Sequence, residues 1–303
     1  MGIDIKELMA KVGRIRLLTK RFVDDELSGG YHSTFKGQGV EFEEVRPYEQ
    51  GDDVRTIDWN VTARTSVPYI KRYREERELT IFFLVDVSGS LGCGTSGRTK
   101  AELAAEVTAL LALTALRNQD KVGLILFADK VLKFISPRKG QGSVMRLVRE
   151  VLAAGENARG GTDFIGALKF LNGIRRRRAV VFLLSDFIVP SAVPSQEFEK
   201  VLRVSARRHD IISVRVSDPA ESDIPDVGLL EFEDPETGEI SVVDTSSVSV
   251  RKAFARETSE EISRLEKLFR QSSIDFVSLS TDKPYIGDIR ALFRRRSGKR
   301  RGR

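Results

Sequence analysis

Asp86, Ser88 and Ser90 stand at alternate positions in the stretch DVSGS, Thr162 lies in GGTDF, and Asp186 falls in LLSDF. Together these five side chains offer two carboxylates and three hydroxyls, with no imidazole and no thiolate. Such an all-oxygen set suits Mg2+, Mn2+ or Ca2+ rather than zinc or copper. An Asp and a Ser two residues apart, in a loop leaving a strand, can turn both oxygens onto one small cation. Gly89 is expected to supply the sharp turn between Ser88 and Ser90. Taken singly, each residue has a plainer role: Asp86 capping the turns that follow, the serines satisfying loop amides, Thr162 or Asp163 starting a helix. Three such loops in one chain argue for the cation.

Other chemistries are poorly supplied. His32 and His209 are the only histidines, one in a glycine-rich segment and one at a helix end, so no His-centred acid–base pair is available. There is no G-x-x-x-x-G-K-[ST] phosphate loop, and the nearest glycine-rich stretch, GSLGCGTSG, holds no lysine. G-x-S-x-G is absent, and an aspartate-nucleophile phosphatase would want D-x-D where Ser88 stands. Cys93 is the sole cysteine, which rules out an intrachain disulfide framework and an all-cysteine metal site. A second acidic group, Asp53 and Asp58 with Glu75 or Glu76 and Lys71 assisting, would make a two-metal nuclease centre. The competing reading makes Trp59 a core anchor and pairs Arg55 and Arg64 with the aspartates.

The elements that must position the five oxygens follow from the hydrophobic pattern. Apolar strands are expected at 79–86, 121–129, 131–137, 179–187, 210–218 and 274–281, and helices at 99–117, 141–154, 163–173, 195–208, 247–270 and 284–294. A hairpin is expected around 233–239. Strands apolar throughout, alternating with helices of ten or more residues, call for a doubly wound α/β fold: a mostly parallel six-stranded sheet covered on both faces. Only Lys130 separates the second and third apolar runs, too little for a crossover, so 131–135 becomes an antiparallel edge strand. In such a sheet ligands bind outside the carboxyl ends of the strands, where the strand order reverses. Asp86 and Asp186 both fall at such ends.

DVSGS with the distant GGTD and LLSDF resembles the metal-ion-dependent adhesion site of the von Willebrand factor A domain, D-x-S-x-S followed by T and then D. The resemblance covers about 78–294 and implies that Asp86, Ser88, Ser90, Thr162 and Asp186 hold Mg2+, or Mn2+ or Ca2+. Upstream, GDDVRTIDWNVTAR and then EERE are similar to the hallmark of the bacterial domain-of-unknown-function family 58, which extends the resemblance to about 28–294. Members of that family are often encoded beside MoxR-type AAA+ ATPases and are associated with them as adaptors or chaperone partners. In A domains the metal keeps one position for a partner's Asp or Glu, because two carboxylates about neutralise a divalent ion while hydroxyls leave it under-coordinated. The resemblance thus implies a metal-dependent protein-interaction module rather than an enzyme, with a MoxR-type AAA+ ATPase as partner and no small-molecule substrate. A metal-dependent hydrolase and a nucleic-acid-binding protein are the alternatives.

The 303 residues are expected to divide into an N-terminal helix and β-rich appendage (1–77), a von Willebrand factor A-like domain (78–296) and a basic disordered tail (297–303). In 4–23 the apolar residues Ile5, Leu8, Val12, Ile15 and Phe22 form a helical stripe. The net charge of +6 is concentrated at the other end: the last fourteen residues hold eight Arg or Lys and no acid, so the rest carries a formal −2. Such a tail attracts polyanions weakly, and the run at 175–178, IRRRRA, would lie at the amino edge of the sheet opposite the metal loops. No segment approaches the roughly 20 apolar residues of a membrane span, and 1–20 lacks a signal-peptide core, so a cytoplasmic location is expected.

Overall fold

The computed structural model describes residues 10, 13–15, 31, 34, 39–76, 78–95, 97–155, 160–188, 196–233 and 240–301. Two compact units result: Phe35–Leu79, and Met1–Thr34 together with Thr80–Arg303. Of the helix expected over 4–23, only Ala10 and 13–15 are described; these are helical, and Ile15 is buried.

In the smaller unit β1 (Gly39–Pro47) pairs antiparallel with β2 (Tyr69–Glu76), from Gly39 opposite Glu76 to Pro47 opposite Tyr69. A short helix, α1 (Trp59–Thr65), lies between them in the chain. Trp59, expected as a core anchor, is 70% exposed because it opens this helix on its solvent side. The β-rich unit starts later than the expected appendage. Residues 31 and 34 are helical and belong to the larger unit, where the Tyr31 hydroxyl donates to Asp120 Oδ2 at 2.7 Å and Thr34 Oγ1 donates to the Phe293 carbonyl at 3.1 Å.

The larger unit is built on six strands: β3 (Thr80–Asp86), β4 (Lys121–Phe127), β5 (Val131–Arg138), β6 (Val180–Ser185), β7 (Asp210–Ser217) and, after the small antiparallel pair β8 (Leu229–Glu233) and β9 (Ile240–Asp244), β10 (Asp275–Ser280). Their spatial order is β10-β7-β6-β3-β4-β5. All neighbours are parallel except β5, which pairs antiparallel with β4 at one edge, as the single-residue spacing required. The chain first builds outward from β3 through β4 to β5, then returns to add β6, β7 and β10 on the other side. The order therefore reverses between β3 and β6, and their carboxyl ends flank the crevice such a reversal leaves.

The helices are α2 (Lys100–Arg117), α3 (Gln141–Gly155), α4 (Phe164–Ile174), α5 (Gln196–Arg208), α6 (Val248–Gln271) and α7 (Ile286–Arg301). One core cluster joins Phe82, Leu84, Val181 and Leu183 of the sheet to Phe164 of α4 and Phe198 of α5. Alternate strand residues such as Phe83 and Phe182 are equally buried, so both faces of the sheet are covered. The alanine-rich α2 is buried over most of its length.

At the C-terminus the structure corrects the expected disorder beyond residue 296: α7 continues to Arg301. Arg296 explains this. Its side chain is 7% exposed, and it donates to Asp210 Oδ2 and Asp275 Oδ2, both at 2.6 Å, at the starts of β7 and β10. Arginine and lysine are also good helix formers and favourable near a helix C-terminus. Removing residues beyond Phe293 would therefore remove a structural clasp as well as charge. Arg296→Ala, which takes a buried cation away from two partly buried aspartates, is expected to cost roughly 3 kcal/mol in denaturant unfolding, whereas a chain ending at Arg301 should unfold like the full one.

Candidate metal centre at the carboxyl edge

Asp86 ends β3 and is completely buried, as is Ser88. The chain then enters a 3-10 turn, Gly89–Gly92. Gly89 starts the sharp turn expected between Ser88 and Ser90, without a left-handed backbone, and brings Ser88 Oγ to 3.2 Å from Ser90 Oγ. Its amide donates to the Gly160 carbonyl at 3.1 Å, tying this loop to the one that carries Thr162. Thr162 precedes Asp163, which caps α4 by accepting from the Gly166 amide at 2.8 Å. That cap fixes the loop so that Thr162 Oγ1 lies 3.3 Å from Asp86 Oδ2.

The third loop leaves β6. In register with β3, Ser185 lies beside Asp86, and its hydroxyl donates to Asp86 Oδ2 at 2.6 Å. Asp186 follows, its Oδ1 accepting from the Ile188 amide at 3.1 Å. Phe187 is held at φ 55°, a conformation unusual for a bulky side chain and costing about 1–3 kcal/mol. This bend lets Asp186 remain at the edge while the Phe187 ring packs on Phe164 and Phe269, with centroids 5.4 and 5.3 Å away.

The five oxygen-bearing residues expected from sequence thus gather at one place. Asp86 contacts Thr162 directly and receives the Ser88 amide at 2.9 Å, Ser88 touches Ser90, and Asp186 is close enough to act on the charge of Asp86. Burial, and next the charge of Asp186, push the Asp86 carboxyl up to about 7. Among the described residues no ion pair is made by Asp86; its partners are hydroxyls and an amide. The separations of 3.2–3.3 Å are hydrogen-bond contacts, a little wider than the roughly 3.0 Å between neighbouring ligands of an octahedral cation at about 2.1 Å. A buried carboxylate lacking a cation, with hydroxyls around it and no nitrogen or sulfur ligand, is a donor set that fits a hard divalent ion. Among the described residues no group of three or more His, Cys, Asp or Glu is arranged to hold a metal, so any such ion depends on the hydroxyls.

Sequence reasoning missed the cations beside this centre. Lys100, the first residue of α2, is 2% exposed, and its Nζ lies 2.7 Å from Asp186 Oδ2 and also pairs with Glu221. A capping box between Thr99 and Glu102 fixes that helix start. Asp218 caps the 3-10 turn Pro219–Glu221, which delivers Glu221. Arg215 of β7 donates from Nε to the Asp186 carbonyl at 3.2 Å and from Nη2 to Glu221 Oε2 at 3.4 Å. Burial pulls the Lys100 ammonium down, but Asp186 and Glu221 outweigh it and hold its pKa above the ordinary lysine value. In sequence Lys100 looks like any solvated first-turn lysine; only its place before an alanine-rich, breaker-free helix hinted at burial.

The described members of the second acidic group have local partners. Asp53 accepts from the Arg55 amide at 2.9 Å, and Asp58 caps α1 and pairs with Lys71 at 3.2 Å. The pairing with Arg55 and Arg64 expected from sequence is replaced by Lys71 on Asp58 and by Arg46 on Asp52 at 2.7 Å. The side chains of 75 and 76 lie outside the described ones.

The raised pKa of Asp86 has a definite sign. The folded chain keeps a proton that the unfolded chain has already lost, so stability falls as pH rises from 3.8 to about 7 and then levels off. In metal-free protein, Asp86→Asn is expected to raise the melting temperature above pH 7, and the gain should shrink as pH falls and vanish below 3.8. Melting curves of both proteins with chelator across that range check it.

Comparison with known proteins bears on the whole chain. An uncharacterized protein of Mycobacterium tuberculosis is 31% identical over 302 residues, covering 98% of this chain and 92% of its own. Among solved structures, the conserved hypothetical protein BatB from Bacteroides thetaiotaomicron is 14% identical with a TM-score of 0.48, covering 73% of this chain and 99% of that one. A von Willebrand factor type A structure from Catenulispora acidiphila is 12% identical with a TM-score of 0.34, covering 50% of this chain and 35% of that one. The model described as "Protein of unknown function DUF58" matches residues 44–264, and the chain belongs to that family.

Proposed function

We propose that this protein is a divalent-metal-dependent interaction module that captures a partner's carboxylate at the edge formed by β3 and β6. The observation that carries the reading is Asp86: a wholly buried carboxylate, at the reversal point of the sheet, whose neighbours are hydroxyls and an amide. Asp86, Ser88, Ser90 and Thr162 would hold Mg2+, or Mn2+ or Ca2+, with Asp186 alongside. When bound, the ion supplies an electrophilic position that an incoming Asp or Glu completes. The protein's own part is to keep the oxygens in place and the carboxylates dry. The Ser88 hydroxyl bonds Ser90 and the Asp86 carboxyl, and among the described residues no histidine accompanies it, so binding is better supplied than hydrolysis. A MoxR-type AAA+ ATPase is the proposed partner and the cytoplasm the proposed location; among the described residues no helix is long and apolar enough to cross a membrane.

Calorimetric titration with Mg2+ or Mn2+ should show binding that Asp86→Ala abolishes and Thr162→Ala weakens by about tenfold, since a neutral hydroxyl attracts less than a carboxylate. Partners captured on immobilised protein should include an AAA+ ATPase and be released by EDTA and by Asp86→Ala. Equal capture in all conditions would defeat the metal-bridge reading.

A second activity has support at the opposite edge. Arg175 Nη2 donates to Thr80 Oγ1 at 3.1 Å, so the run 175–178 lies at the amino ends of the strands, and Arg296 brings the end of α7 there through Asp210 and Asp275. Arg176, Arg177 and Arg178 are exposed. Two basic runs distant in sequence thus share one edge, and a weak attraction to polyanions is proposed for it. Retention on heparin should fall steeply with added salt and drop when these three arginines become serine; retention unchanged in that variant would count against the shared surface.

A further inference from the structure

Asp86 and Asp186 are both buried, yet their surroundings differ in kind. Asp86 faces only neutral donors, whereas both oxygens of Asp186 are engaged: Oδ2 by the Lys100 ammonium at 2.7 Å and Oδ1 by the Ile188 amide at 3.1 Å. Lys100 is itself shared with Glu221, and Glu221 with Arg215. Three carboxylates and two cations leave the cluster a formal −1, not the −2 that Asp86 and Asp186 alone would give. A divalent ion and the Lys100 ammonium would therefore compete for the field of the same carboxylate.

We propose that Lys100 is a built-in counter-cation that holds Asp186 and lowers the site's affinity for divalent metal, and that Glu221 moderates it by drawing part of its charge away. The inference rests on the metal reading above and concerns residues outside the five-oxygen set. Lys100 is a positioning residue. It orients Asp186 in the metal-free protein, preventing the two aspartates from standing as an uncompensated buried pair. Glu221, on a short turn with its side chain 16% exposed, is the adjustable member.

Charge alone then orders a set of variants. Lys100→Met keeps the length and burial of the side chain and takes the cluster from −1 to −2; Glu221→Gln takes it to 0; the double variant returns it to −1. Titration of the full-length proteins with Mn2+ at fixed pH, with melting curves to monitor folding, should give tightest binding for Lys100→Met, by about tenfold or more over wild type. The double variant should resemble wild type, and Glu221→Gln should bind about tenfold more weakly. Simple damage to packing predicts the reverse for Lys100→Met, which would then bind more weakly along with the double variant. If wild type binds Mn2+ but Lys100→Met binds no tighter, this proposal fails and the metal reading survives. Should Lys100→Met not fold, Glu221→Gln decides, and unchanged affinity there overturns the proposal. No binding by any of the proteins at millimolar Mn2+ overturns both.

Discussion

Two parallel strands, β3 and β6, end side by side, the first closed by a buried carboxylate, Asp86, and the second followed by another, Asp186. Charged groups in such a place are costly unless something of opposite sign or a set of donors meets them. The fold meets one of the two. Asp186 is answered by Lys100, a cation that the chain provides from the start of α2, while Asp86 is answered only by dipoles. That asymmetry, more than the presence of acidic residues, is what makes the edge a candidate for an ion from outside.

Much of the local structure around the edge makes sense as support for it. The Thr99–Glu102 capping box places Lys100 at the first turn of α2, and the Asp163 cap holds Thr162 against Asp86. Asp218 receives the Thr95 amide at 2.9 Å and the Thr281 hydroxyl at 2.6 Å, joining the first loop to the ends of β7 and β10 while capping the turn that carries Glu221. Phe187 tolerates a left-handed backbone because its ring is fixed by Phe164 and Phe269. A cation bound among Asp86 and its hydroxyls would change the formal charge of the cluster from −1 to +1, a positive remainder suited to an anionic group on another protein. Lys100 contributes to that remainder: with methionine in its place the same ion would leave the cluster neutral.

The sheet was legible because its strands are apolar throughout and its helices lack breakers; a single intervening residue, Lys130, even decided the direction of β5. The five oxygens were legible because each sits where a strand ends or a helix begins, and strand ends in this architecture converge. What the sequence could not disclose depended on tertiary partners. Lys100 and Glu221 look like surface charges until α2 is docked on the sheet. Trp59 looks like an anchor until its helix turns it outward, and Arg296 looks like part of a charged tail until Asp210 and Asp275, far apart in the chain, meet it.

The most direct test of the central claim is anomalous scattering from a crystal of the full chain soaked in millimolar Mn2+. A peak bounded by Asp86, Ser88, Ser90 and Thr162 is expected, absent from crystals of Asp86→Ala, with the Lys100 ammonium still seated on Asp186. A well-ordered edge with no peak, or a peak that persists without Asp86, would contradict it.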